Sequence, residues 1–178
     1  MKKGIFYVFV CVMVLFGATN NAQAYLTKGQ TANLLPDKQG VLYTVTYDFG
    51  SASYDLYLPV VPERKSDNND QARTLTYSLN DDRDGETNYG VTTGVVLANA
   101  EIQNGQYFIP KGEARRLTLV VLMAMDEVLP VRSLDLAMQV TNLPFMMING
   151  AVQVKAQLNP SELKYYVTPE IDIPSAGF

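Results

Sequence analysis

GQYFIPKGEARRLTLVVLMAM, Gly105 to Met125, is the stretch that decides the fold. Gln106 to Ile109 reads as a short strand, residues 110–113 as a tight turn, and Arg115 onward as a long strand. Proline at the second position of a turn pre-sets φ, and glycine after it supplies a positive φ at little cost, which suits Pro110 and Gly112. Beyond the turn, Leu117, Leu119, Val121, Met123 and Met125 alternate. A period of two is that of a strand with one face on a core. The expectation is all-β, an antiparallel two-sheet β-sandwich.

The neighbouring sequence extends that pattern in both directions. Val41, Tyr43, Val45, Tyr47 and Phe49 alternate with Leu42, Thr44 and Thr46, and a second strand follows at residues 53–59. These two read as a hairpin. Residues 60–71 read as a polar loop, and residues 73–79 as a strand with Leu75, Tyr77 and Leu79 inward and Thr74, Thr76 and Ser78 outward. Residues 80–90 read as an acidic loop, and residues 91–100 as a strand bulged near Gly94. Asn104-Gly105 is a strong turn signal. Residues 131–142 alternate as a strand, although Leu134, Ala137 and Met138 also fit a short helix; the β neighbours favour the strand. Residues 145–148 and 151–158 flank Asn149-Gly150 as a hairpin with a type I′ turn. Residues 163–167 read as a last strand before a proline-bearing tail. The total is about eight to nine strands, with turn signals at the spacing of a sandwich or barrel.

The first 24 residues read as a secretory signal. Lys2 and Lys3 make a basic start, residues 5–16 an apolar run, and Ala22-Gln23-Ala24 a cleavage site. The run is too short for a membrane-spanning helix. Cys11 lies within it, with Val10 before it and few apolar residues upstream, which argues against a lipoprotein. Cleavage after Ala24 leaves residues 25–178 as a single domain of 154 residues, opening on an irregular lead-in at residues 25–40. Pro174 and Gly177 interrupt the place of a closing membrane strand, which argues against an outer-membrane barrel.

Loss of Lys2 and Lys3 from the 14 basic residues leaves 12 against 18 acidic ones, a net charge of −6. Such a chain lacks the basic footprint that nucleic acid or an anionic membrane requires. The only cysteine is in the signal and there is no histidine. Triads of serine or cysteine with histidine are therefore excluded, as are zinc or copper sites built on imidazole or thiolate. An exported chain without disulfides fits a bacterial source.

Residues 104–119, NGQYFIPKGEARRLTL, resemble the G-x-Y-x-I-P-x-G-E … L-x-L segment of immunoglobulin-like, or fibronectin-like, domains of bacterial secreted and surface proteins. The resemblance covers about twenty residues and rests on a turn that in such domains joins the two sheets. It implies an immunoglobulin-like sandwich and carries over no catalytic or ligand residue. The buried tryptophan and paired cysteines of immunoglobulin domains proper are missing here.

Asn80, Asp82, Asp84 and Gly85 fit the opening of a calcium loop, with Glu86 as a further ligand. Val91 stands at the twelfth position, where a bidentate glutamate belongs, and the alternative is a solvated hairpin loop. No other cofactor is expected. Asp67, Asn68, Asn69 and Asp70 form a weaker cluster of the same kind. Asp126 with Glu127, or Asp48 with Asp55, are the candidate carboxylate pairs for a glycosidase. Tyr57 falls on the opposite side of its strand from Tyr54, which places aromatic groups on both faces.

The leading expectation is a non-catalytic exported protein, secreted, periplasmic or on the cell surface, acting by protein–protein contact as a surface-structure or adhesion component. A pilus-type subunit assembled by strand exchange, with residues 25–40 as the donor, is the alternative. A carbohydrate-binding module is a third, with glycan as partner.

Overall fold

The computed structural model describes residues 23–26, 29–36, 39–66, 73–125, 130 and 132–175. The strands are β1 (Gln23–Leu26), β2 (Thr31–Leu34), β3 (Gly40–Gly50), β4 (Asp55–Pro59), β5 (Pro62–Arg64), β6 (Leu75–Asp81), β7 (Gly85–Thr87), β8 (Val91–Ala98), β9 (Glu101–Gln103), β10 (Gln106–Ile109), β11 (Ala114–Ala124), β12 (Leu134–Asn142), β13 (Pro144–Asn149), β14 (Val152–Gln157) and β15 (Ile171–Ile173). One short helix, α1 (Pro160–Leu163), lies between the last two.

These strands form an antiparallel β-sandwich of three sheets. Sheet A runs β3-β11-β8, with β1 and β2 end to end along the free side of β3. Sheet B runs β14-β13-β4-β10-β9, and sheet C runs β15-β12-β6-β5 with β7 also on β6. Only β5 and β6 pair in parallel among the described strands. The two eleven-residue strands β3 and β11 span both other sheets. At one end the Tyr43 hydroxyl donates to the Leu136 carbonyl of sheet C (3.5 Å), and Tyr77 of sheet C donates to Thr92 of β8 (3.0 Å). At the other end Phe49 packs edge-on against Phe145 of sheet B (5.0 Å), and Tyr107 donates to the Val96 carbonyl (2.7 Å). Sheet A is thus one layer, and sheets B and C together make the other.

The alternation read from the sequence is the core. Val41, Tyr43, Val45, Tyr47 and Phe49 from β3, with Leu117, Leu119, Val121 and Met123 from β11, are fully buried. Each such side chain contributes about 1.5–3 kcal/mol by leaving water, so the register between β3 and β11 is firmly set. The turn after β10 joins two sheets and covers residues 110–113 as read, but proline is its first residue and not its second. Glu113 N–H donates to the Pro110 carbonyl (3.0 Å), which makes Pro110 the first residue and places Gly112, φ 77°, third. Lys111 N–H binds Asp55 and Gly112 N–H binds the Ser51 carbonyl (2.8 Å each), which pins the turn to the β3–β4 link.

Several expectations need correction. β3 and β4 are no hairpin: β3 belongs to sheet A and β4 to sheet B. Thr76 and Ser78 are buried instead of outward, because sheet C satisfies their hydroxyls: Thr76 meets Thr141 at 2.8 Å and Ser78 donates to Asn80 at 3.2 Å. β8 pairs with β11 without a bulge; Gly94 is there because a Cβ would lie 2.8 Å from Pro62. At the β13–β14 turn Asn149 pairs with Val152, so Gly150 and Ala151 are the central residues, and only Gly150 has positive φ. That is the φ pattern of a type II′ turn, not type I′. The expected strand at residues 163–167 begins as α1, capped by Asn159 with Glu162 closing a capping box. The lead-in at residues 25–40 holds the second half of β1 and all of β2, and the expected cleavage after Ala24 falls inside β1.

Candidate functional site

The Asn80–Glu86 oxygens are built into a hairpin by alternation and turn chemistry. β6 carries Asn80 to its outer side, residues 82–84 make the turn, and Gly85 accepts φ 75° to open β7. Arg132, just before β12, reaches over this turn. Its Nη2 donates to Asp81 at 2.6 Å and also pairs with Asp84. Asp135 N–H donates to the other Asp81 oxygen (3.0 Å). The Arg132 hydrogen bond is the main reason that the buried Asp81 carboxyl is held below the usual carboxylate range. Arg83 lies near Asp82 (3.6 Å) and Asp135 (3.7 Å), Glu86 pairs with Lys65 (2.7 Å), and Asn80 donates to Gln139 (3.0 Å).

The four expected calcium ligands are all engaged within the protein. Each faces its own protein partner, and three of those partners are cations. Among the described residues no group of three or more carboxylate, histidine or cysteine side chains is placed to hold a metal ion. The residue missed was Asp81, whose partner Arg132 lies 51 positions away, beyond any local motif.

The described glycosidase candidates, Asp48 and Asp55, lie on different sheets. Asp48 forms a two-pronged pair with Arg116 on sheet A (3.0 and 3.2 Å), while Asp55 on sheet B accepts from the Lys111 backbone. Asp126 and Glu127 lie outside the described residues, as do Asp67, Asn68, Asn69 and Asp70. Most of the tyrosines serve the core. Burial pushes the Tyr43 and Tyr47 hydroxyls far up, and Tyr166, edge-on to Tyr47 at 5.5 Å, up to about 12. They stay protonated across the physiological range.

Two surfaces remain. On the outer side of sheet B, cross-strand pairing sets Glu101, Phe108, Tyr57, Met146 and Lys155 in one row. The Tyr57 and Phe108 rings are 5.2 Å apart, and the Tyr57 hydroxyl reaches Gln103 (3.4 Å). This is the aromatic group expected on the face opposite Tyr54.

The outer side of sheet A is apolar at one edge. Residues of β8 and β11 whose neighbours point inward must themselves point out. Val91, Val95 and Leu97 of β8 are 69%, 45% and 54% exposed, and Leu122 of β11 is 41% exposed. Val95 pairs with Val120, and Leu122 pairs with Leu42, so the row continues inward across the sheet. Toward β2 the face turns polar through Thr31, Thr44, Thr46 and Thr118, with Thr31–Thr44 at 2.8 Å and Thr46–Thr118 at 3.0 Å. No third layer covers this face among the described residues, and β8 is the last strand of its sheet. Contiguous apolar exposure of this kind marks contact surfaces.

No protein-family model matches the chain, and no match is found among the curated proteins. Among the described residues no helix is long and apolar enough to cross a membrane.

Proposed function

We propose that this is a non-catalytic, exported bacterial protein, an immunoglobulin-like sandwich that acts by protein–protein contact through the outer face of sheet A. The observation that carries the reading is the exposed row Val91, Val95, Leu97 and Leu122 on a sheet with no covering layer. Support for a non-catalytic role comes from the chain's chemistry. It has no histidine, its one cysteine sits in the expected signal, and the described carboxylates nominated for chemistry are tied to cations or backbone. The basic, apolar and small-residue pattern of residues 1–24 supports export. The turn at residues 110–113, crossing from sheet B to sheet A, supports the immunoglobulin-like relation.

A photo-crosslinking side chain in place of Leu122, in bacteria producing the full chain, tests the contact. The expected result is a discrete adduct with a protein from position 122, and none from Tyr165, which is more exposed but follows α1, outside sheet A. Adducts from neither position overturn the reading.

The Tyr57–Phe108 pair on the outer side of sheet B favours a second reading, a glycan-binding module, because aromatic rings flanked by Gln103 and Gln106 suit stacking on a sugar. Retention on glycan resin that is lost in Tyr57→Ala would establish it.

A further inference from the structure

The outer side of sheet B holds more than its ring pair. Gln106 lies two residues before Phe108 on β10, and Pro59 two residues after Tyr57 on β4, so both share the face of the rings. Met146 stands opposite Tyr57, and Lys155 opposite Met146, which brings β13 and β14 onto the same face. Beside the rings these residues border a cleft of about 330 Å³, with Pro144 adding to its apolar wall and Arg73 lining it from the segment before β6. A cleft of a few hundred Å³ that is mostly apolar, with a few placed polar groups, is the usual form of a small-ligand site. Its charge is one-sided: in a chain of net charge −4, the charged residues of the lining are Arg73 and Lys155, and among the described residues no carboxylate joins them. Among the described residues the Lys155 ammonium and the Gln106 amide make no hydrogen bond or ion pair within the protein.

We propose that this cleft takes an acidic sugar, the carboxylate-bearing unit of a glycan whose neighbouring unit stacks on Tyr57 and Phe108. This rests on the glycan reading above and names the class of sugar. Lys155 lies two strand spacings from Tyr57, about 10 Å, a reach that linked sugar rings cover and one sugar does not. A carboxylate beside a guanidinium and an ammonium accepts charge-assisted hydrogen bonds, and the Gln106 amide offers a donor and an acceptor to sugar hydroxyls. The rings supply a stacking surface that a neutral sugar uses equally well, so the cations are what distinguish acid from neutral. Glu101, the acid of the same row, stands beyond Phe108, four spacings or about 19 Å from Lys155. That is farther than charges act through physiological salt, so Glu101 does not cancel the attraction.

Binding of the protein purified from producing cells to a panel of oligouronates and sialosides, each paired with its methyl ester, tests this. The ester keeps the rings and hydroxyls and removes the charge. At least one acid is expected to bind about tenfold tighter than its ester, the scale of one hydrogen bond to a charged group. Added salt should narrow that difference, and Lys155→Gln should abolish most of it, whereas Tyr57→Ala weakens acid and ester alike. Lys155 is exposed on an edge strand, and circular dichroism checks that its variant is folded; Arg73→Gln replaces it if it is not. Acid and ester bound alike overturn the inference and leave the glycan reading standing. No binding of either form across the panel overturns both. A preference for the acid that the folded variant retains in full overturns the placement in this cleft.

Discussion

Asp81 illustrates how one side chain can look like part of a metal loop and serve another purpose. It sits between Asn80 and Asp82 on β6, yet it is buried and accepts from Arg132 and from the Asp135 backbone. Its carboxyl is held below the ordinary value, so the unfolded state binds a proton at higher pH than the folded state does. The stabilisation is therefore full above the unfolded carboxyl value, about 3.9, and is lost as pH falls through the lower folded value. Asp81→Asn should lower the urea midpoint at neutral pH, and the gap from wild type should be narrower at an acidic pH below the unfolded carboxyl value. A gap that is the same at both pH values would contradict the pairing. None of this was legible in the sequence. Alternation of apolar residues marks which faces are buried, but a buried carboxylate with a distant arginine has no local signature.

At the scale of elements, the legible features were those set by neighbours along the chain. The alternation in β3 and β11 and the Asn104-Gly105 turn, with φ of 52° and 75°, follow from local chemistry. Asn159-Pro160-Ser161-Glu162 was also legible as a helix start, with a capping asparagine, proline in the first turn and glutamate closing the box. Leu163, Tyr165 and Val167 alternate directly after it, which disguises the helix as the start of a strand. The three-residue strands β5, β7, β9 and β15 are too short to show a period and exist only because longer partners offer an edge. Gly94 belongs here too. Sequence marks a glycine in a strand, but not whether it bulges or admits a neighbour. Since Pro62 occupies the place of its Cβ, Gly94→Ala should cost about 1–3 kcal/mol through overpacking, read from chemical denaturation. A cost near zero would mean that β5 yields freely at this point.

For the molecule as a whole, sandwich architecture was legible and sheet membership was not. The link between β3 and β4 is short enough for a hairpin, yet it crosses between layers, and β12 passes into β13 with only Leu143 between sheet C and sheet B. Both crossings are decided by which side chains complete a common core, a long-range property. The contact face has the same origin. Val95 and Leu97 resemble core residues in sequence, and their exposure depends on sheet A lacking an outer layer. The strand-exchange alternative changes in character for the same reason: β1 and β2 already lie along β3 of their own chain. The uncharged, apolar edge is β8, at the far side of the sheet.

Photo-crosslinking from outward positions of sheet A, in bacteria producing the full chain, tests the central claim most directly. A discrete protein adduct from Leu122 and from Val95, with none from Tyr57 on the outer side of sheet B, is the predicted result. Adducts from Tyr57 and none from either sheet A position would contradict the assignment of sheet A as the contact surface.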